Sequence, residues 1–441
     1  MQPFRSLAAW TMVLSGLALS SSAEPWTADR AVATALRQSP DAAAARARIA
    51  AADALIQQAD AAWLPHLSLA GRYTDTNSPM MAFGSILNQR AFNFGLDFNH
   101  PGKVDNLNLT GTVGYNLYAG GRPTAARQAA HAAARAAAED LRATQQQLAS
   151  GAIKALLNLR KARAAVAAVE AGVRAYEAAL TNARLRFEAG QVLKADLLSL
   201  EVKLAETREQ LTTTRHGAAL AERAFLFVLG EQPTAGTPVE LAPADPALQA
   251  LAVPAPDAPA QRPELAGLRQ RLTAAQKMVA VARGARRPNV NAFASYQYDQ
   301  GRRLDRHADS WLAGVAVDLN LFDGGQTSGK IRQAEAELTQ VQEMLRQAEL
   351  GFALEAEQAR LTHAAARERL AVSAQTVAQA EESAALSRAR FEQGALLAAD
   401  LIGVEGRLLE ARLRRTLAEA DERLALAELH RALGHAPLAT P

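Results

Sequence analysis

The 441-residue sequence predicts an α+β membrane protein: a trimeric 12-stranded β-barrel, four strands from each chain, continued by a long α-helical barrel. Three observations carry the prediction. The chain matches itself at two constant offsets, the mark of an internal duplication. Two runs of more than sixty residues contain no proline and have the composition of helix. Four shorter segments alternate apolar and polar side chains with the period of a strand.

The duplication sets the organisation. Pro40 and Pro65 match Pro263 and Pro288 at an offset of 223. Gly120, Gly121, Phe187, Gly190, Asp196, Leu229, Gly230 and Pro233 match Gly324, Gly325, Phe391, Gly394, Asp400, Leu433, Gly434 and Pro437 at an offset of 204, so the first copy has 19 extra residues between Pro65 and Gly120. The expected divisions are a signal peptide at 1–23, a first repeat at 24–230, a proline-rich connector at 231–261, a second repeat at 262–434 and a tail at 435–441.

Taken in order, Arg5, an apolar stretch at 7–19 and the small residues Ser21, Ser22 and Ala23 read as a signal for export, and the apolar stretch is too short for a bilayer span. Each repeat then opens with an Ala- and Arg-rich helical run (27–63 and 262–286) that stops at Pro65 or Pro288, because the residue before proline is pushed out of the helical region. Strand-like pairs follow. In "SWLAGVAVDLNLF", Trp311, Val315, Val317, Leu319 and Leu321 share one face, and Gly314, Asp318 and Asn320 the other. The segments "PHLSLAGRY", "LNLTGTVGYNLY" and "PNVNAFASYQY" alternate likewise. Residues 75–106 read as a long loop rich in Asn, Gly and Phe, and 299–309 as its short counterpart. After each double glycine the pattern becomes unbroken helix, about 62 residues or ~93 Å in the first copy. A turn, "RFEAG" or "RFEQG", then reverses the chain into a return helix at 192–229 or 396–433. That helix spans little more than half of the outgoing one, and the opening helix of the repeat fills the remainder if the two stack end to end.

Four strands cannot span a membrane alone, since both edges would present unpaired N–H and C=O groups to lipid. Two chains would give eight strands, whose interior side chains normally fill, whereas three give twelve and leave a lumen. A symmetric trimer is the smallest pore.

The signal peptide, the two copies of strand, strand, long helix, "RFE-x-G" turn and short helix, and the closing "LG-x-x-P" resemble the TolC family of outer membrane efflux proteins over essentially the whole mature chain. The resemblance implies a homotrimeric duct set in outer membrane lipid and extending through the periplasm, whose partners are a periplasmic adaptor and an inner-membrane pump. It also implies that the Gly190 and Gly394 turns are the periplasmic tips where the adaptor docks, with Asp196, Asp400, Phe187 and Phe391 at the gate. Acids at Asp196 and Asp400 are equally explained by the helix dipole at the start of the return helices, and both phenylalanines by packing. Well-known members carry a tyrosine, a basic residue and a second aspartate at what are here Phe391, Leu396 and Gly403, so their hydrogen-bonded lock does not transfer intact.

Other functions find little support. The eight histidines show no ligand spacing, no nucleophile–base order is evident, and no metal, cofactor or enzyme activity is expected. Absence of cysteine excludes disulfides and thiolate metal sites. A net charge of +3 gives no case for nucleic acid. Gly324, Gly329 and Lys330 fit a phosphate-binding loop, but Ile331 stands where Ser or Thr would hold Mg²⁺, and the first copy has Ala125 and Ala126 in place of the Gly-Lys. A glycine turn between strand and helix is the better reading. The alternative from another class is a periplasm-spanning adaptor, which usually has one helical hairpin rather than two.

Overall fold

The computed structural model describes residues 24–232, 239–254 and 262–435. The expected signal peptide, Pro233, Pro437, part of the connector and the tail beyond His435 lie outside them. In chain order the elements are α1 (Ala28–Gln38), α2 (Pro40–Asp60), a short 3-10 turn, β1 (His66–Thr76), α3 (Pro79–Asn88), β2 (Val104–Ala119), α4 (Arg122–Glu188), α5 (Lys194–Leu229), α6 (Pro246–Gln249), α7 (Pro263–Gly284), β3 (Asn289–Gly301), β4 (Arg306–Asp318), α8 (Gln326–Glu392) and α9 (Ala398–Ala432). Helices α4 and α8 each run 67 residues, about 100 Å. Among the described residues, no helix is long and apolar enough to cross a membrane.

The strands form one antiparallel sheet in the order β1-β2-β3-β4, with β1 and β4 as free edges. Its register puts like with like: Leu67 faces Val113, Tyr73 faces Leu107, Leu109 faces Tyr298, Tyr296 faces Trp311, and Val290 faces Val317. Side chains alternate along every strand, so these residues line one face and Arg72, Asn108, Thr110, Ser295, Gln297 and Ser310 the other. On the apolar face Leu67, Leu69, Tyr296, Trp311, Val315 and Val317 are exposed in the single chain.

Where strand becomes helix, glycine is required. Gly120 and Gly121 have φ of 68° and 79°, and Gly324 and Gly325 have 64° and 91°, values that side chains rarely tolerate. Gly120 faces a second constraint, because a Cβ there would lie 2.3 Å from the Gly284 carbonyl oxygen at the end of α7. The start of α4 and the end of α7 therefore touch backbone to backbone, directly beneath the point where β2 pairs with β3.

The helices do stack end to end. Gly230, which ends α5, lies against the Gln38 carbonyl where α1 gives way to α2, and α2 then packs on α4. At the matching joint between α9 and α7, Arg262 donates from Nε to the Ala432 carbonyl at 2.9 Å. It also pairs with Glu355 at 2.7 Å and stacks 4.2 Å over the Phe352 ring. Halfway along α4, a belt ties the two ends of the first half together. Trp26 forms a parallel bridge with Leu241, its ring meets Phe225 edge-on at 5.5 Å, and the Asp245 carboxylate accepts from the Ala28 amide at 2.8 Å. Ile153, Leu156, Leu159 and Leu229 complete the cluster.

Three expectations need correction. The opening run at 27–63 is two helices, because Pro40 cannot donate into a continuing helix and Ser39 instead caps α2, its hydroxyl accepting from the Asp41 amide. The loop at 75–106 contains α3, and strand pairing extends into it as far as Thr76 and Val104, just as pairing of β3 with β4 shortens the loop expected at 299–309 to 302–305. Strand β4 ends at Asp318, so Leu319 and Leu321 belong to the exposed link into α8.

Candidate gate and docking turns

Both long helices end in the same motif. Gly190 and Gly394 have φ of 73° and 78°. The Gly190 amide donates to the Phe187 carbonyl and the Gln191 amide to that of Arg186, at 2.9 and 2.8 Å; Gly394 and Ala395 donate to Phe391 and Arg390 at 3.1 and 2.9 Å. This is a Schellman cap, in which a left-handed glycine lets the chain turn back on the last helical carbonyls. A Cβ at either glycine would meet nothing within 4 Å, so both turns present bare backbone at the hairpin tips.

Below each turn an ion pair joins the two arms of its hairpin: Arg184 with Glu201 at 2.7 Å, and Arg388 with Glu405 at 2.8 Å. A second pair lies further along, Arg208 with Glu177 and Arg412 with Glu381, each at 2.8 Å. All four contacts obey the offset of 204. Hydrogen bonding to Glu405 pushes the Arg388 pKa up.

The surroundings of the two hairpins differ. Helix α4 lies against α9, so the second hairpin is covered by the first. Phe391 is 3% exposed, in a cluster with Val173, Tyr176, Leu180, Ala183 and Leu401. Arg186, from the last turn of α4, stacks 5.3 Å over the Phe391 ring and donates to the Phe391 and Glu392 carbonyls. Tyr176 donates to the Ile402 carbonyl at 3.3 Å, and burial, with Glu405 second, pushes its pKa up to about 12. Phe187 has no such cover and is 39% exposed.

Asp196 and Asp400 sit in the first turns of α5 and α9. Asp196 is half-buried and Asp400 exposed, and neither carboxylate has a partner among the described residues. The single chain thus brings Phe391, Arg186 and the Gly394 turn together and leaves Phe187 and both aspartates open. Arg186 and the hairpin ion pairs are not among the site residues expected from the sequence. The signal was present, in an arginine directly before each repeated phenylalanine and in Arg/Glu positions that recur at the same offset.

Known proteins share this architecture. Residues 31–231 and 255–435 match the family described as outer membrane efflux protein. The outer membrane efflux protein BepC of Brucella suis is 28% identical over 278 residues, which cover 59% of this chain and 60% of BepC. The chain thus spans about three fifths of that relative's length. Protein CyaE of Bordetella pertussis is 27% identical over 407 residues, covering 89% of this chain and 81% of CyaE. Among solved structures, the outer membrane protein VceC of Vibrio cholerae superposes with a TM-score of 0.78 at 20% identity, over 92% of this chain and 96% of VceC. Since the family profile takes in more than four fifths of the residues, the chain belongs to the outer membrane efflux protein family.

Proposed function

We propose that three copies of this chain close their sheets into one barrel and their helices into one tunnel, forming the passive exit duct of a tripartite efflux or type I secretion system. The single observation that carries the reading is the exposed apolar face of a four-stranded sheet with two free edges. Lipid accepts such a face only when the edges are paired, and symmetric copies provide the pairing. The duct catalyses no reaction; an inner-membrane pump supplies the energy through a periplasmic adaptor. The adaptor docks on the Gly190 and Gly394 turns, where backbone is uncovered. Asp196 and Asp400 from three chains ring the constriction, with Phe187 and Phe391 at the same gate. Fractionation tests the reading: the protein should be found in the outer membrane as a heat-sensitive trimer, and its deletion should abolish export by the cognate pump. A monomer in the soluble periplasm would rule it out.

A further inference from the structure

We propose that Arg390 and Phe187, left unpartnered in the single chain, form with a second copy the same clasp that Arg186 and Phe391 form within one chain. The proposal rests on the trimeric assembly above and is independent of what the tunnel carries.

Four observations lead to it. Inside the chain, a guanidinium from the end of one long helix caps the last carbonyls of the other and stacks on its phenylalanine. Such a contact satisfies C-terminal carbonyls and places a cation at the negative end of the helix dipole. Next, the second hairpin carries the same parts. Arg390, Phe391 and Glu392 repeat Arg186, Phe187 and Glu188 at the offset that the Schellman turns and four ion-pair contacts obey.

The third observation is that those parts are idle. Arg390 is exposed and has no partner among the described residues. Phe187 is open where Phe391 is sealed, and the Glu201 side chain is 38% exposed where that of Glu405 is 5%. On the same flank Leu198 and Val202 of α5 are exposed. Finally, the order of packing is α5-α4-α9-α8, which leaves α8 and α5 on opposite outer sides of the helical layer. A head-to-tail ring closes by laying α8 of one copy against α5 of the next. That places Arg390 against the end of α4 of the partner subunit, as Arg186 lies against the end of α8 in its own chain.

The tip of the trimer then alternates three clasps within chains and three between them. Only the Arg390 clasps join hairpins of different chains, so any widening that separates neighbouring chains at the tip releases Arg390 and leaves Arg186 in place.

The chain has no cysteine, so paired cysteines give a clean test. Purified trimers carrying Arg390→Cys with Glu188→Cys are treated with a short, flexible bismaleimide comparable in length to an arginine side chain. Trimers carrying Arg186→Cys with Glu392→Cys serve as the control, and native mass establishes the assembly before treatment. The first pair should give covalent trimers on a denaturing gel. The second should remain monomeric, with the crosslink located inside one chain by proteolytic mapping. The proposal is overturned if native trimers of the first pair stay monomeric on the gel or crosslink within one chain while the control reacts. A native mass that is not trimeric removes the assembly, and the clasp with it.

Discussion

Replacing Arg262 with methionine should loosen the joint at which α9 hands over to α7. The side chain is 2% exposed and makes three contacts: the Ala432 carbonyl at the end of α9, the Glu355 carboxylate, and the Phe352 ring. Methionine fills the space and removes every donor. Hydrogen bonds to charged groups contribute about 1.5–3 kcal/mol each and a desolvated cation–π contact about 2. Glu355 keeps Arg431 as a second partner, which softens the loss, so the net cost is about 3–5 kcal/mol. With unfolding entropy near 2.1 cal/mol/K per residue over roughly 400 residues, that cost lowers the melting temperature by about 4–6 °C. Far-ultraviolet circular dichroism of the detergent-solubilised protein reads the shift. Arg262→Lys keeps the charge but loses the fork that spans carbonyl and carboxylate, and should recover less than half of it. A methionine variant that melts within about 1 °C of the parent refutes the reasoning, because a buried arginine with these contacts cannot be neutral on that scale.

The Gly190→Trp, Gly394→Trp double variant should assemble and lose export: a Cβ at either position meets nothing within 4 Å, while the indoles cover the turn and strain a left-handed backbone. Normal export would remove docking from these turns. In planar bilayers the purified trimer should conduct poorly, prefer cations, and be blocked by a trivalent complex cation from the periplasmic side. Two carboxylates about 8 Å apart in water repel by only ~0.5 kcal/mol, so a ring of them stays ionised at neutral pH. Retention of both block and selectivity by Asp196→Ala, Asp400→Ala would place the constriction elsewhere. Glu428 accepts from Arg431 at 3.0 Å, and that bond holds its pKa below the ordinary 4.5. Its stabilising contribution is therefore complete above the unfolded value and lost as pH falls through the folded one. The melting difference between parent and Glu428→Gln should shrink steadily from about pH 6 to about pH 3; a constant difference would show that the charge is not involved. An epitope inserted after Gly95, beside a Phe94 that is 99% exposed, should be labelled on intact cells. Labelling that requires an opened outer membrane would invert the topology.

Much of the fold was legible because its signals are local. Uninterrupted helical runs, alternating strands and glycines at obligatory positive φ each report their own backbone. The break at Ser39 is equally legible, since Pro40 marks it and Ser39 is a residue type that caps helices. Helix α3 was hidden by the loop-like composition around it, although Pro79 opens it and Ile86 packs against Val104 beneath it. The tip was legible in its motif and not in its environment. Phe187 and Phe391 have the same neighbours in sequence and opposite exposure, because burial there depends on which hairpin lies alongside, and no window of residues records that. For the same reason the sequence could not tell which of the two repeated arginines finds a partner inside its own chain.

The contact between Gly120 and Gly284 bears on the order in which the protein assembles. Pairing β2 with β3 joins residues on either side of a 169-residue segment, 120–288, whereas β3 and β4 are joined by only four, 302–305. In a flexible chain, closing the longer loop costs about 3 kcal/mol more. If the helices form first, that cost falls on their docking and not on the strands. Once α4 has run out, α5 has returned, and α7 has packed on α4 with its last turn against Gly120, the ends of β2 and β3 are already side by side. Helix contacts within a hairpin are also closer in sequence than β2–β3 contacts and form sooner. The helices are therefore the jig on which the sheet is laid. A bulky side chain at Gly120 or Gly284 would delay zipping of β2 onto β3 even where the finished protein tolerated it, leaving exported chains with helices in place and strands exposed to proteolysis.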